Sequence, residues 1–306
     1  MGTAASVRLA EDGTEIVLGG PPYLEVLANA HRRLRPRTYF EIGARRGSSL
    51  GVANCSSLAV DPNFQLEEGF VASKPICILH QSTSDEFFAS RDPTEILGAR
   101  IDVAFIDGLH LFDFALRDFI GTERSVNAGS MIVLDDCCPS DFYMARHTQV
   151  PEVVQPTKYK GYWTGDVWKV IPILREYRPD IELRVVDTRP TGLAICTNLN
   201  PEDQSLAANY DEIVRRWRDV RLEDYGMARL LEDLRMEPAD AWVSQLTPLH
   251  PGDPEPPAQP GPRRPTRSEA LKAELDSMRR SRSWQITRPL RWLRSLAGGS
   301  RRSGRG

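Results

Sequence analysis

The sequence predicts an α/β fold: a doubly wound, mostly parallel sheet of seven strands with helices on both faces, followed by a helical C-terminal extension. Three observations carry this. Short β-rich apolar runs alternate with helix-like stretches from about residue 15 to 199, the helix-like stretches repeat their apolar residues three and four apart, and a glycine-containing turn follows the first central run. In order, the strands are Thr38–Ile42, Ser57–Val60, Ile76–Leu79, Val103–Ile106, Met131–Leu134, Glu182–Val186 and Leu193–Cys196. Pro22–Leu34 reads as a helix through Leu24, Leu27 and Ala28, and Phe112–Val126 through Phe112, Ala115, Leu116 and Phe119.

Residues 139–168 break the alternation. Pro139, Pro151, Pro156 and Gly161 stand among Tyr143, His147, Tyr159, Tyr162, Trp163 and Trp168, a composition expected of a long aromatic loop that covers an acceptor site. Residues 1–200 are therefore expected to form the main domain. A helical extension over 201–247 places Tyr210, Ile213, Val214 and Trp217 on one face, and serves either as a cap for the core or as a homo-oligomer surface. Eight prolines between 248 and 265 mark a stiff linker, expected to run to about 267. The segment 268–306 is a basic tail bearing Leu271, Leu275, Met278, Trp284, Ile286, Leu290, Trp292 and Leu293, suited to lie on an anionic membrane surface.

Charge is divided unevenly. The chain carries 39 Lys and Arg against 42 Asp and Glu, yet residues 263–306 hold thirteen basic and three acidic residues, so a tail of +10 follows a body of −13. No run reaches the roughly 18 to 20 apolar residues of a membrane-spanning helix, and no basic segment with a long apolar stretch opens the chain. Five cysteines fit neither a disulfide framework nor a zinc pattern, and a cytoplasmic location is expected.

The first central strand runs into Glu41-Ile42-Gly43-Ala44-Arg45-Arg46-Gly47-Ser48. Gly43 permits a sharp turn and Gly47 a close backbone approach, the Rossmann-like arrangement for a nucleotide-type ligand. A dinucleotide fingerprint needs a third glycine where Arg45 stands, which weakens an NAD-linked oxidoreductase as the alternative. The next strand ends at Asp61, placed either to hold a ribose diol or to cap its own loop. Ser82, Thr83, Ser84 and Asp85 follow the third strand, either along an adenine edge or as the N-cap of a helix beginning near Glu86. The fourth and fifth strands deliver Asp107-Gly108-Leu109-His110 and Asp135-Asp136 to the same carboxyl edge. Three converging carboxylates would raise one another's pKa unless a hard cation such as Mg²⁺ sat among them, and a neutral His110 there could accept a hydroxyl proton.

Glu41-Ile42-Gly43…Gly47, Asp61, Ile106-Asp107-Gly108-x-His110 and Asp135-Asp136 together resemble the class I methyltransferases that use S-adenosylmethionine, in particular macrocin O-methyltransferase and related bacterial sugar O-methyltransferases. The resemblance spans roughly residues 20–197, and its specific part is Asp-Gly-x-His coupled to the later Asp-Asp pair. It implies that Glu41, Gly43 and Gly47 surround the methionine part of the cofactor and that Asp61 holds its ribose; Ser48, Ser84 and Asp85 are expected among the cofactor-binding residues from their place in the chain. It further implies that Asp107, Asp135 and Asp136 hold Mg²⁺ and that His110 is the general base toward a sugar or glycan acceptor. Arg45 and Arg46 depart from the small residues usual in the turn. The Asn/Asp-Pro-Pro-Tyr/Phe element of amino-methylating nucleic-acid enzymes is missing, so no nucleic-acid partner is expected. Ser281–Arg291 resembles short tails on glycosyltransferases and methyltransferases of cell-surface glycan assembly, which keeps a non-catalytic module of such an assembly as a further alternative.

Overall fold

The structure is a computed structural model that describes residues 7–66, 71, 74–149 and 161–253. The aromatic-loop residues Pro151, Pro156 and Tyr159, most of the proline-rich linker and the basic tail lie outside these residues. Residues 1–252 form one compact unit.

Strands β1 (Arg8–Leu9) and β2 (Ile16–Val17) form a small antiparallel hairpin, and helix α1 (Tyr23–Leu34) follows. The main sheet then begins with β3 (Thr38–Ile42), β4 (Ser56–Val60) and β5 (Cys77–His80). Helices α2 (Ser84–Ser90) and α3 (Pro93–Leu97) lead to β6 (Ile101–Ile106), and α4 (Phe112–Glu123) leads to β7 (Val126–Leu134). After α5 (Val170–Tyr177) come β8 (Glu182–Asp187) and β9 (Leu193–Thr197). The chain continues through α6 (Ser205–Trp217), α7 (Leu222–Tyr225), α8 (Met227–Leu234), β10 (Glu237–Pro238) and α9 (Ala239–Gln245).

The sheet has eight strands in the order β10-β8-β9-β7-β6-β3-β4-β5, one more than the sequence predicts. The addition is β10, two residues that pair in parallel with Val186 and Asp187 of β8. Only β9 runs antiparallel to its neighbours. The strands are apolar because both faces are covered, as parallel sheets require. One face packs on α1, α9 and the turn after β3, through Val26, Leu27, Leu34, Leu50 and Trp242. The other packs on α4, α5, α6 and α8, through Phe119, Ile173, Ile213 and Leu230. No helix among the described residues is long and apolar enough to cross a membrane.

The strand order reverses between β3 and β6, both of which end at the same edge of the sheet. A crevice opens outside the carboxyl ends of strands at such a point, and ligands of open α/β sheets bind there.

Candidate active site at the switch point

At that edge lies a cavity of about 850 Å³, lined by side chains from the ends of β3, β4, β6 and β7, by α1 and by the 161–163 and 190–191 loops. Its volume suits a small-molecule ligand. Gly43, Asp61, Ser84, Asp85, Asp107, His110, Asp135 and Asp136 all line it.

Gly43 is required for a reason internal to the fold. Its φ is +89°, and a Cβ there would fall 1.8 Å from the Asp107 carbonyl oxygen, so the β3 and β6 ends can approach only over a glycine. Gly47 (φ +79°) completes the turn, with its amide donating to the Ala44 carbonyl, and it does not line the cavity.

Glu41 and Ser48, both expected against the cofactor, do not line the cavity either. Along β3 the side chains alternate, so Glu41 shares a face with Tyr39, away from Phe40 and Ile42. Its carboxylate accepts from the Tyr39 hydroxyl (2.8 Å) and the Ser49 hydroxyl (2.6 Å), and burial pushes its pKa up to about 7. Ser48 itself is exposed, and its neighbour Ser49 makes the contact. Glu41 therefore braces the glycine turn from below.

Asp61 caps its own loop and also borders the cavity. Its two oxygens accept from the Arg45 amide (2.9 Å) and the Asn63 amide (2.6 Å), which fixes the turn against β4, while the carboxylate still borders the cavity. Thr83 is the N-cap of α2, in a reciprocal box with Glu86, so α2 starts two residues earlier than expected. Ser84 and Asp85 of its first turn face the cavity.

At the opposite end Asp107, His110 and Asp136 offer ligand atoms that all lie within 4.8 Å of one another. His110 Nδ1 stands 2.9 Å from Asp136 Oδ2 and 2.6 Å from the Trp163 carbonyl oxygen, and Nε2 is 3.5 Å from Asp107 Oδ1. The His110 and Trp163 rings stack at 5.3 Å. Burial favours the neutral ring, but the hydrogen bonds and charges of Asp107 and Asp136 outweigh it and hold the imidazole pKa up at about 11. Beside two bare carboxylates the ring is thus held toward the imidazolium, and a neutral ring there requires those charges to be neutralised.

Asp135 lines the same cavity but stands apart from the three closely grouped side chains. Its Oδ1 accepts from the Asp136 amide (2.8 Å) and the Thr191 hydroxyl (3.0 Å), and burial beside Asp136 and Asp107 raises its pKa. Asp136 takes a left-handed conformation, φ +62°, that turns its side chain toward His110 while Asp135 faces Thr191. Asp107 and Asp136 form a pair that fits a divalent cation: two carboxylates that repel each other unless neutralised, beside an imidazole that releases its proton once they are.

The sequence reading missed Tyr23, Phe114 and Thr191, which line the same cavity. Burial, with Asp135 and Asp107 close by, raises the Tyr23 pKa and keeps its hydroxyl a donor. None of the three belongs to a local motif. Tyr23 opens α1 and Thr191 sits between β8 and β9, so only the folded chain brings them to the strand ends.

The sequence profile of a family described as "Methyltransferase domain" matches residues 40–137, which run from β3 to just past Asp136. That stretch of the chain is similar to a methyltransferase domain. No curated protein matches the sequence. Among solved structures the chain resembles cofactor-bound Rv0187 from MTB, at 13% identity and a TM-score of 0.40, over 58% of this chain and 79% of that one. It also resembles the O-methyltransferase TomG from Streptomyces achromogenes in complex with SAM, at 15% identity and a TM-score of 0.37, over 58% and 78%. A third is the SAH-bound methyltransferase PaMTH1 from Podospora anserina, at 14% identity and a TM-score of 0.39, over 57% and 77%.

Proposed function

We propose that the chain is an S-adenosylmethionine-dependent O-methyltransferase acting on a sugar hydroxyl of a glycan, glycolipid or glycosylated natural product, assisted by Mg²⁺ and His110. One observation carries this reading: a single cavity joins the Gly43–Asp61 turn at one end to Asp107, His110 and Asp136 at the other. A bound S-adenosylmethionine supplies an electrophilic methyl group on a sulfonium. Asp61, Ser84 and Asp85 hold the nucleoside end, Gly43 lets the chain pass close by, and Tyr23 donates into the same space.

Mg²⁺ held by Asp107 and Asp136 would polarise the acceptor hydroxyl and neutralise the two charges that keep His110 protonated. His110 is oriented for its task by Trp163 and Asp136 at Nδ1, which leaves Nε2 to take the hydroxyl proton. The aromatic walls Tyr162, Trp163 and Phe114 offer faces for a sugar ring and exclude water from the transfer. We place the protein in the cytoplasm, held at the inner membrane face by its basic tail. Deleting residues 263–306 is expected to spare turnover on soluble acceptor and shift the protein from membranes to the soluble fraction; unchanged partitioning refutes the anchoring role.

Calorimetry with S-adenosylhomocysteine, with and without Mg²⁺ and with NAD as the control, tests the central claim. Micromolar binding of S-adenosylhomocysteine and none of NAD is the expected result. Binding of NAD alone would transfer the site to hydride chemistry.

A further inference from the structure

Helices α2 and α4 lie in close contact beside the cavity, where a Cβ at Gly121 of α4 would fall 2.6 Å from the Phe88 ring of α2. Each helix gives the cavity part of its lining: Ser84 and Asp85 from the first, Phe114 from the second. The next turn of α4 carries Arg117 and Asp118, and neither lines the cavity.

Both nevertheless hold residues that do. Arg117 donates to Asp85 through two parallel bonds, Nε to Oδ1 at 2.8 Å and Nη2 to Oδ2 at 2.9 Å. Its guanidinium lies 4.1 Å over the Phe114 ring, and Nη1 donates to the Tyr210 hydroxyl, which itself donates to the Asp113 carbonyl at 3.2 Å. Asp118 is 2% exposed, lies beside the Ser84 hydroxyl, and closes under Gly108, where a Cβ would meet its Oδ2 at 3.0 Å. Burial raises its carboxyl pKa to about 7, so the Ser84 hydroxyl is its main compensation. A forked guanidinium on a carboxylate fixes both distance and plane. Arg117 thereby fixes Asp85, and the next residue of the same helix, Asp118, stands beside Ser84.

We propose that Arg117 and Asp118 form a clasp that sets Asp85 and Ser84 at the spacing needed to read the base of the cofactor. They are positioning residues, and the assignment rests on the S-adenosylmethionine reading of the cavity. Without the clasp Asp85 is free to swing into solvent and Phe114 loses the cation that covers it. The site then keeps its methionine end and loses discrimination at its nucleoside end.

The test compares affinities for S-adenosylhomocysteine and for its hypoxanthine counterpart, S-inosylhomocysteine, in the full-length wild type, Arg117→Met, Arg117→Lys and Asp118→Leu, alongside melting temperatures. The wild type is expected to prefer the adenine ligand. Arg117→Met and Asp118→Leu should each weaken S-adenosylhomocysteine by about tenfold and lose most of that preference, as for loss of a charge-assisted bond. Arg117→Lys, which keeps the charge without the fork, should fall between, and turnover at saturating cofactor should stay within about twofold of wild type, the pattern of lost binding alone. Should Asp118→Leu fail to fold, Arg117→Met, whose site is partly exposed, decides alone. Wild-type affinity for both ligands in Arg117→Met, equal loss toward both, or no adenine preference in the wild type overturns the clasp. A wild type that binds neither ligand overturns the cofactor reading beneath it.

Discussion

His110 and Asp136 differ in what their removal does to the backbone, and the variants follow from that. Asp136 sits at φ +62°, which asparagine tolerates better than alanine, so Asp136→Asn isolates the charge from the strain. We expect His110→Ala and Asp136→Asn to keep wild-type melting temperatures and to lower methyl transfer by about a hundredfold, typical of losing a general base. Near-normal turnover in both would remove the base and metal assignments together. Gly43→Ala should behave in the opposite way. Its Cβ would meet backbone, the Asp107 carbonyl carbon at 2.4 Å as well as the oxygen, so the β3 and β6 ends must separate. A fall in melting temperature, worth about 1–3 kcal/mol for strain of this kind, should accompany loss of cofactor binding. A Gly43→Ala variant as stable as wild type would show that the two strand ends yield.

Helix α1 packs on the sheet through a residue that chemistry makes pH-sensitive. His31 is buried against Tyr39 with ring centroids 5.0 Å apart, neither ring nitrogen has a hydrogen-bond partner among the described residues, and burial, with Lys74 adding to it, depresses its pKa to about 3. The unfolded value is near 6.5, so between these limits the unfolded chain binds the proton and the folded chain does not. Stability is therefore complete above about pH 6.5 and drains as pH falls toward 3. Against His31→Phe, the wild type should lose about 2 kcal/mol more on going from pH 7.5 to 5, read from denaturant midpoints at each pH. Parallel pH curves would place the imidazole in contact with water. Buried carboxyls such as Glu41 and Asp118 titrate with the opposite sign, but they are common to both proteins and cancel in the comparison. Elements of this kind were legible to different degrees. The central strands show in the sequence because burial on both faces makes them continuous apolar runs. The start of β7 does not, since Asn127, Ala128 and Gly129 are exposed, and β10 is hidden because Glu237-Pro238 reads as a break. At the site, Asp107, His110 and Asp136 follow directly from strand ends, whereas Trp163, Thr191 and Tyr23 arrive from segments far along the chain. The true place of Glu41 was within reach: period-two alternation puts it on the face of Tyr39, its partner.

At the scale of the whole molecule, the helices beyond residue 200 belong to the fold that carries the site. Leu206, Ile213, Trp217, Leu222, Met227, Leu230 and Leu234 are buried in the same cluster as Phe119 and Ile173, and Trp242 is buried in the cluster on the other face. Polar ties run the same way. The buried Lys169 ammonium donates to the Trp217 carbonyl at 2.9 Å as well as to Asp166, and Arg175 donates to the Asp233 carbonyl at 3.0 Å. Each large apolar side chain contributes about 1.5–3 kcal/mol when buried, so the loss of all eight matches or outweighs the roughly 5–15 kcal/mol by which a typical domain is stable. A chain cut after residue 200 should accordingly fail to fold, while one cut after Gly252, where the compact unit ends, should melt cooperatively and retain S-adenosylhomocysteine binding. Near-ultraviolet circular dichroism and a thermal scan of the two truncations separate the outcomes. A cooperative transition in the shorter chain would mean that the first two hundred residues close their own core, and that the later helices only cover a surface already stable without them.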